Sequence, residues 1–124
     1  LANIPIKNLL KFHNSHGKLA TVTAVRPPAR FGYMKIKKNK VINFGEKNQA
    51  DEGWINGGFF VLNPEVVNRI EDDKTSWEAE PLMSLAEDGE LCAFKHSGFW
   101  QPVDTICDLQ RLEEAIGKGL LPWT

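Results

Sequence analysis

The sequence predicts an α/β fold, and two observations carry that prediction. Ile6, Leu9, Leu10 and His13 recur at i, i+3, i+4 and i+7, the spacing of one helix face, and the pattern runs almost at once into residues 19–25, nearly all apolar or β-branched. A strand without polar alternation is buried on both faces, as in a sheet with helices packed on each side. Strand-like and helix-like segments then keep alternating to the end of the chain.

Taken in order, Asn3 is the expected cap of the first helix, with Pro5 tolerated in its first turn and Gly17 closing it. Arg26-Pro27-Pro28-Ala29-Arg30 is a loop, because neither proline can donate to a ladder. Residues 31–36 and 41–44 read as two strands joined through Lys37-Lys38-Asn39-Lys40, a polar turn with Asn39 available for positive φ. Residues 49–53 form a polar loop before a strand at 54–62. Asn63-Pro64 opens a helical turn with Val66, Val67 and Ile70 as its apolar stripe. A further helix is expected at 76–88, with Leu82, Leu85 and Ala86 inward and Gly89 as its stop. A short strand at 91–94 and an irregular stretch at 96–103 follow. Thr105, with Asp108 three residues on, starts a last helix carrying Leu109, Leu112 and Ile116 on one face.

At 124 residues the chain is one domain's worth and long enough to bury a core. Fifteen basic against sixteen acidic residues leave a net charge of −1, which argues against bulk nucleic-acid or membrane-surface binding. No apolar run approaches the roughly 18 residues of a membrane span, and no signal peptide opens the chain. Cys92 and Cys107 read as reduced thiols of a cytoplasmic protein. The missing initiator Met and the immediate helical pattern suggest a fragment.

Three places invite a chemical reading. Phe44-Gly45-Glu46-Lys47 ends one strand in a charged pair, and Asn56-Gly57-Gly58 opens the next. Glycines weaken a strand and make sense where backbone approaches a ligand closely, or at a β-bulge. Glu46 and Lys47 are one wall of a small-molecule site or an exposed surface pair, and neighbours on a strand point to opposite faces. Asp104 either caps or complements the dipole at the start of the last helix, or offers hard carboxylate oxygen to magnesium. His13 and His16 lie at a helix end, where histidine complements the dipole and no third metal ligand is near; for His96 the sequence offers no obvious metal partner.

The order Pro27-Pro28-Ala29-Arg30-Phe31-Gly32, Phe44-Gly45-Glu46-Lys47, Trp54-Ile55-Asn56-Gly57-Gly58-Phe59-Phe60-Val61-Leu62-Asn63-Pro64 closely resembles the sugar-1-phosphate nucleotidyltransferases. Thr75-Ser76-Trp77-Glu78-Ala79-Glu80-Pro81-Leu82-Met83 and Gly98-Phe99-Trp100-Gln101-Pro102-Val103-Asp104-Thr105 resemble the branch that uses CTP and glucose 1-phosphate. The likeness covers nearly the whole chain. It implies a mixed, mainly parallel Rossmann-like sheet with flanking helices and a small β excursion at 31–44, the C-terminal half of a nucleotide-diphospho-sugar transferase fold.

On that resemblance, residues 1–124 are the sugar-phosphate-binding half of a single domain. The nucleotide-binding half, with its glycine-rich loop, catalytic-site lysine and magnesium-holding Gly-Asp-Gly, would precede Leu1. Such a half is expected to expose sheet edge and core surface where its companion docks. In the family, a sugar-phosphate oxygen attacks the α-phosphate of a nucleoside triphosphate, and pyrophosphate leaves. The resemblance gives Lys47 the sugar phosphate, Glu46 the sugar hydroxyls, and Asn56 and Gly57 the glucose. Gly32 would allow close backbone approach, Trp100 would pack against the site, and Asp104 would be a Mg2+ ligand. The expected partners are CTP, glucose 1-phosphate, the other half of the enzyme and further copies in a homo-oligomer, in the service of dideoxysugar and surface-polysaccharide (lipopolysaccharide) synthesis. Alternatives are a dTTP- or UTP-dependent sister enzyme and, in another class, a non-catalytic sugar-phosphate-binding or regulatory module. The resemblance departs at Asn48, where the family commonly has proline after Glu-Lys, so the loop there loses a fixed φ.

Overall fold

A computed structural model of the chain describes residues 1–27, 32–46 and 53–123. Helix α1 spans Ile6–His16 and ends at Gly17, whose φ of 70° is the left-handed conformation that closes helices. Its start differs from the expectation: Pro5, extended and offering no side-chain cap, takes the N-cap position in place of Asn3. The Asn3 N–H is committed elsewhere, donating to the Phe99 carbonyl at 3.2 Å. Proline also holds the residue before it extended, so the helix begins after Pro5.

Strands β1 (Ala20–Val25), β4 (Ile55–Leu62) and β5 (Leu91–His96) form a three-stranded sheet in the order β4-β1-β5. The Asn63 N–H, just past the end of β4, donates to the Leu19 carbonyl at the head of β1, so these strands run antiparallel. The Ala20 N–H donates to the Glu90 carbonyl, head to head, so β1 and β5 run parallel. The sheet is therefore mixed, with α1 packed on β5 and helices beside it, as an α/β fold requires.

Strands β2 (Gly32–Lys37) and β3 (Lys40–Glu46) form a separate antiparallel hairpin, the expected β excursion. Its turn has positive φ at both Lys38 (49°) and Asn39 (65°), the two-residue geometry that matches strand twist. A register shift after Lys35 leaves one extra residue on β3.

After β4, Pro64–Arg69 is a 3-10 helix. Its three-residue period aligns i with i+3, so Val66 is buried while Val67 and Ile70 share an outward column, correcting the expected stripe. Helix α2 covers only Glu80–Glu87, because Pro81 is tolerated in a first turn and not deeper. Leu85 is fully buried and Ala86, expected inward, is exposed. Arg69 ties the 3-10 helix to α2 through Asp88 (2.6 Å) and Ser84 (2.9 Å). β5 runs two residues beyond the expected strand and includes a buried His96. Helix α3 spans Ile106–Gly117 with its capping box formed; of the predicted face only Leu112 is buried, while Leu109 and Ile116 are exposed.

These residues group into two compact units. One comprises Leu1–Asn3, Val25–Ile55 and Ser97–Thr124; the other comprises Ile4–Ala24 and Asn56–His96. The core of the second is Ala20, Val66 and Leu85, with Leu19, Trp77 and Leu91 against them and Phe60 edge-on to Trp77. In the first, Leu112 and Leu121 are buried, Phe99 meets Trp123 edge-on, and Leu1 and Gln101 exchange backbone hydrogen bonds of 2.7 Å.

Candidate active site

The hairpin brings two of the predicted site residues together. Gly32 opens β2 and Glu46 ends β3, and the register sets them directly opposite each other at the open end. Lys47 follows at once in the chain and lies outside the described residues. In the same unit, Trp100 bridges Ala2 in an isolated antiparallel pair that fixes its backbone, and its side chain is half-buried.

Asp104 immediately precedes α3, and here the structure separates two roles. Thr105 is the N-cap: its hydroxyl accepts the Asp108 N–H at 3.1 Å. The Asp108 carboxylate, 1% exposed, accepts the N–H groups of Thr105 (3.3 Å) and Asp104 (3.2 Å). Capping is thus carried by Thr105 and Asp108. The Asp104 carboxylate is exposed and bonds no described residue, which leaves its oxygens available to a hard cation. No three metal-binding side chains cluster among the described residues.

Asn56 and Gly57 lie on β4 in the other unit. The Asn56 amide oxygen accepts the Gly58 N–H at 2.8 Å, a local turn inside the strand. Gly58 has φ 86° and open space where a Cβ would be, so conformation rather than close approach requires this glycine. The Asn56 amide nitrogen keeps two donors with no partner among the described residues, suited to hydroxyl or phosphate oxygens. Gly57 is buried.

Two features escaped the sequence reading. Arg26 lies over the Trp54 ring, 4.5 Å from its centroid, clasping the two ends of the segment that carries the hairpin. No spacing rule links residues 28 apart, so nothing in the sequence announced it. His13 and His16 join Thr21 and Asn63 in a hydrogen-bonded chain; the signal available was a pair of threonines, Thr21 and Thr23, inside an otherwise apolar strand.

A nucleotidyl transferase family model matches residues 1–118. The chain belongs to the nucleotidyl transferase family. This nucleotidyl transferase chain is 53% identical over 123 residues to glucose-1-phosphate cytidylyltransferase of Salmonella typhimurium (strain LT2), a match covering 99% of the chain and 48% of the relative. It is 38% identical over 107 residues to mannose-1-phosphate guanylyltransferase catalytic subunit beta of Drosophila pseudoobscura, covering 83% of the chain and 29% of that protein. Among solved structures it is similar to a Bacillus anthracis protein assigned as a glucose-1-phosphate thymidylyltransferase, in complex with sucrose. That match has a TM-score of 0.61 at 21% identity and covers 92% of this chain and 50% of that one, a likeness of fold alone. The chain spans about half the length of the Salmonella relative it matches. No helix among the described residues is long and apolar enough to cross a membrane.

Proposed function

We propose that this chain is the C-terminal, sugar-phosphate-binding half of a cytoplasmic enzyme that transfers a cytidylyl group from CTP to α-D-glucose 1-phosphate. A phosphate oxygen of the sugar attacks the α-phosphorus of CTP. The bond to the β-phosphate breaks, giving CDP-glucose and pyrophosphate. The observation that carries the reading is 53% identity to the Salmonella cytidylyltransferase over essentially the whole chain.

Such a transfer needs positioning and neutralisation of developing negative charge more than proton transfer. Lys47 would hold the sugar phosphate as a point charge, and Glu46, opposite Gly32 in the hairpin register, would accept from glucose hydroxyls. Asn56 would donate its two amide N–H bonds to the sugar, beside Gly57, and Trp100 would wall the site. Asp104 would hold Mg2+, which supplies charge neutralisation on the transferred group when bound. Its freedom from capping supports that role.

Pyrophosphate release with glucose 1-phosphate and magnesium, compared across CTP, dTTP and UTP, tests the reading. Preference for CTP is expected. Preference for dTTP or UTP would reassign the base, and no turnover with any nucleotide would favour a sugar-phosphate-binding module. In the polypeptide carrying both halves, Asp104→Asn is expected to lower kcat by about 100-fold or more. Its thermal midpoint should stay close to that of the unsubstituted enzyme, because Asp104 caps nothing with its side chain. Matching losses of turnover and folding would return Asp104 to a structural role.

A further inference from the structure

We propose that His16, Thr21, His13 and Asn63 form an acid-sensitive latch that holds the end of α1 on the sheet, closed while His16 is neutral. The hydrogen bonds are His16 Nε2 to Thr21 Oγ1 at 2.7 Å, Thr21 Oγ1 to His13 Nδ1 at 2.8 Å, and His13 Nε2 to Asn63 Oδ1 at 2.7 Å. Thr21 is fully buried and His13 nearly so.

The direction of every proton is fixed from the two ends. The Lys18 backbone N–H points at His16 Nδ1 at 2.9 Å and can only donate, so His16 Nδ1 carries no hydrogen. The neutral ring therefore holds its proton on Nε2 and gives that hydrogen bond to Thr21. At the other end the Asn63 carbonyl can only accept, so His13 donates from Nε2 and its Nδ1 is bare. The Thr21 hydroxyl, already an acceptor from His16, donates its one hydrogen to His13 Nδ1. Each donor and acceptor is used once. Turning the Asn63 amide over would put the His13 proton on Nδ1 and strand the Thr21 hydrogen in a buried place.

A proton added to His16 must occupy Nδ1, against the Lys18 N–H. There it faces a donor in place of an acceptor, so protonating His16 costs the Lys18 hydrogen bond and is disfavoured while the helix end is seated on the sheet. The two rings meet edge-on, 5.1 Å between centroids, so charge on His13 disfavours charge on His16. Among the described residues, the other charged groups acting on His16 are Lys18 and, beside β1, Glu90, whose carboxylate accepts the Leu19 N–H at 3.1 Å. Desolvation first, then His13 and Lys18, lower the pKa of His16, with Glu90 opposing. The folded chain then binds fewer protons than the unfolded one below the ordinary value of about 6.5. Stability is therefore full above that pH and is lost as pH falls toward the lower folded value.

The latch has structural consequence because α1 has no side-chain cap at its start. At its end the chain binds it to β1 through Thr21 and to the residue after β4 through Asn63, itself the N-cap of the 3-10 helix.

Amide hydrogen exchange of the 124-residue chain from pH 8 to 5, corrected for intrinsic rates, tests this. Protection of α1 should hold steady above pH 7 and fall by up to about tenfold per pH unit below pH 6.5, while α2 keeps its protection. A flat α1 profile to pH 5, or equal losses in α1 and α2, would overturn the latch. Thr21→Ser should keep the pH step and Thr21→Val should weaken it, because the hydroxyl joining the two rings is lost; a step of unchanged size in Thr21→Val also overturns the latch. Imidazole nitrogen NMR at pH 7.5 decides independently of any variant. Both rings should carry hydrogen on Nε2 alone, and an Nδ1–H on either refutes the arrangement.

Discussion

Helices α1 and α3 are nearly equal in length, 11 and 12 residues, and each carries an apolar stripe, yet they are held in opposite ways. α3 is secured locally, by a reciprocal cap between residues three apart in sequence. α1 has no such cap and depends on distant residues: Leu9 in the core, Phe12 against Phe94 at 5.6 Å, and the histidine chain to Thr21 and Asn63. Isolated helices of this length are marginal in water. One helix is therefore specified largely by its own sequence and the other largely by its surroundings.

The largest expected effect falls on the dependent helix. Leu9 is 2% exposed, so Leu9→Ala should destabilise the chain by about 2–5 kcal/mol in urea melts, through lost burial and the cavity left behind. A loss under about 1 kcal/mol would mean that α1 does not rely on tertiary packing. Next comes the local device. Asp108→Ala strips acceptors from two N–H groups and should cost about 1–3 kcal/mol, with exchange protection lost first in the opening turn of α3. Asp108→Asn keeps an acceptor oxygen and should recover much of it. If the alanine variant loosened α1 as much as α3, the contrast between the helices would fail.

The same contrast explains what could be read in advance. The Thr105–Asp108 cap, Gly17 as a helix stop, the Lys38-Asn39 turn and the strands on either side of it depend on residues close in sequence, and each formed as expected. Asn3 failed as a cap because the helix starts only at Ile6, and its N–H pairs instead with Phe99, nearly a hundred residues away. Val67 was misplaced because a three-residue period replaced the expected helix, and Ala86 stands exposed one position past the buried Leu85. At the candidate site, sequence supplied the residue types, and the structure added the pairing of Gly32 with Glu46 and the release of Asp104 from capping. The clasp of Arg26 on Trp54 and the four-residue latch have no local signature. They exist only once the chain is folded.

The smallest expected effect is the sharpest test of how α3 is held. Ile106 opens the helix and is 75% exposed, so it removes little apolar surface from water. If the cap secures this end, Ile106→Ser should change stability by no more than about 0.5 kcal/mol, since the substitution neither opens a cavity nor breaks a bond. The measurement is a paired urea melt at two chain concentrations tenfold apart. A loss above about 1 kcal/mol that grows with concentration would show Ile106 covered by a second copy in solution, because association stabilises by mass action. A concentration-independent loss of that size would place Ile106 in the chain's own core, and α3 would then depend on its surroundings as α1 does.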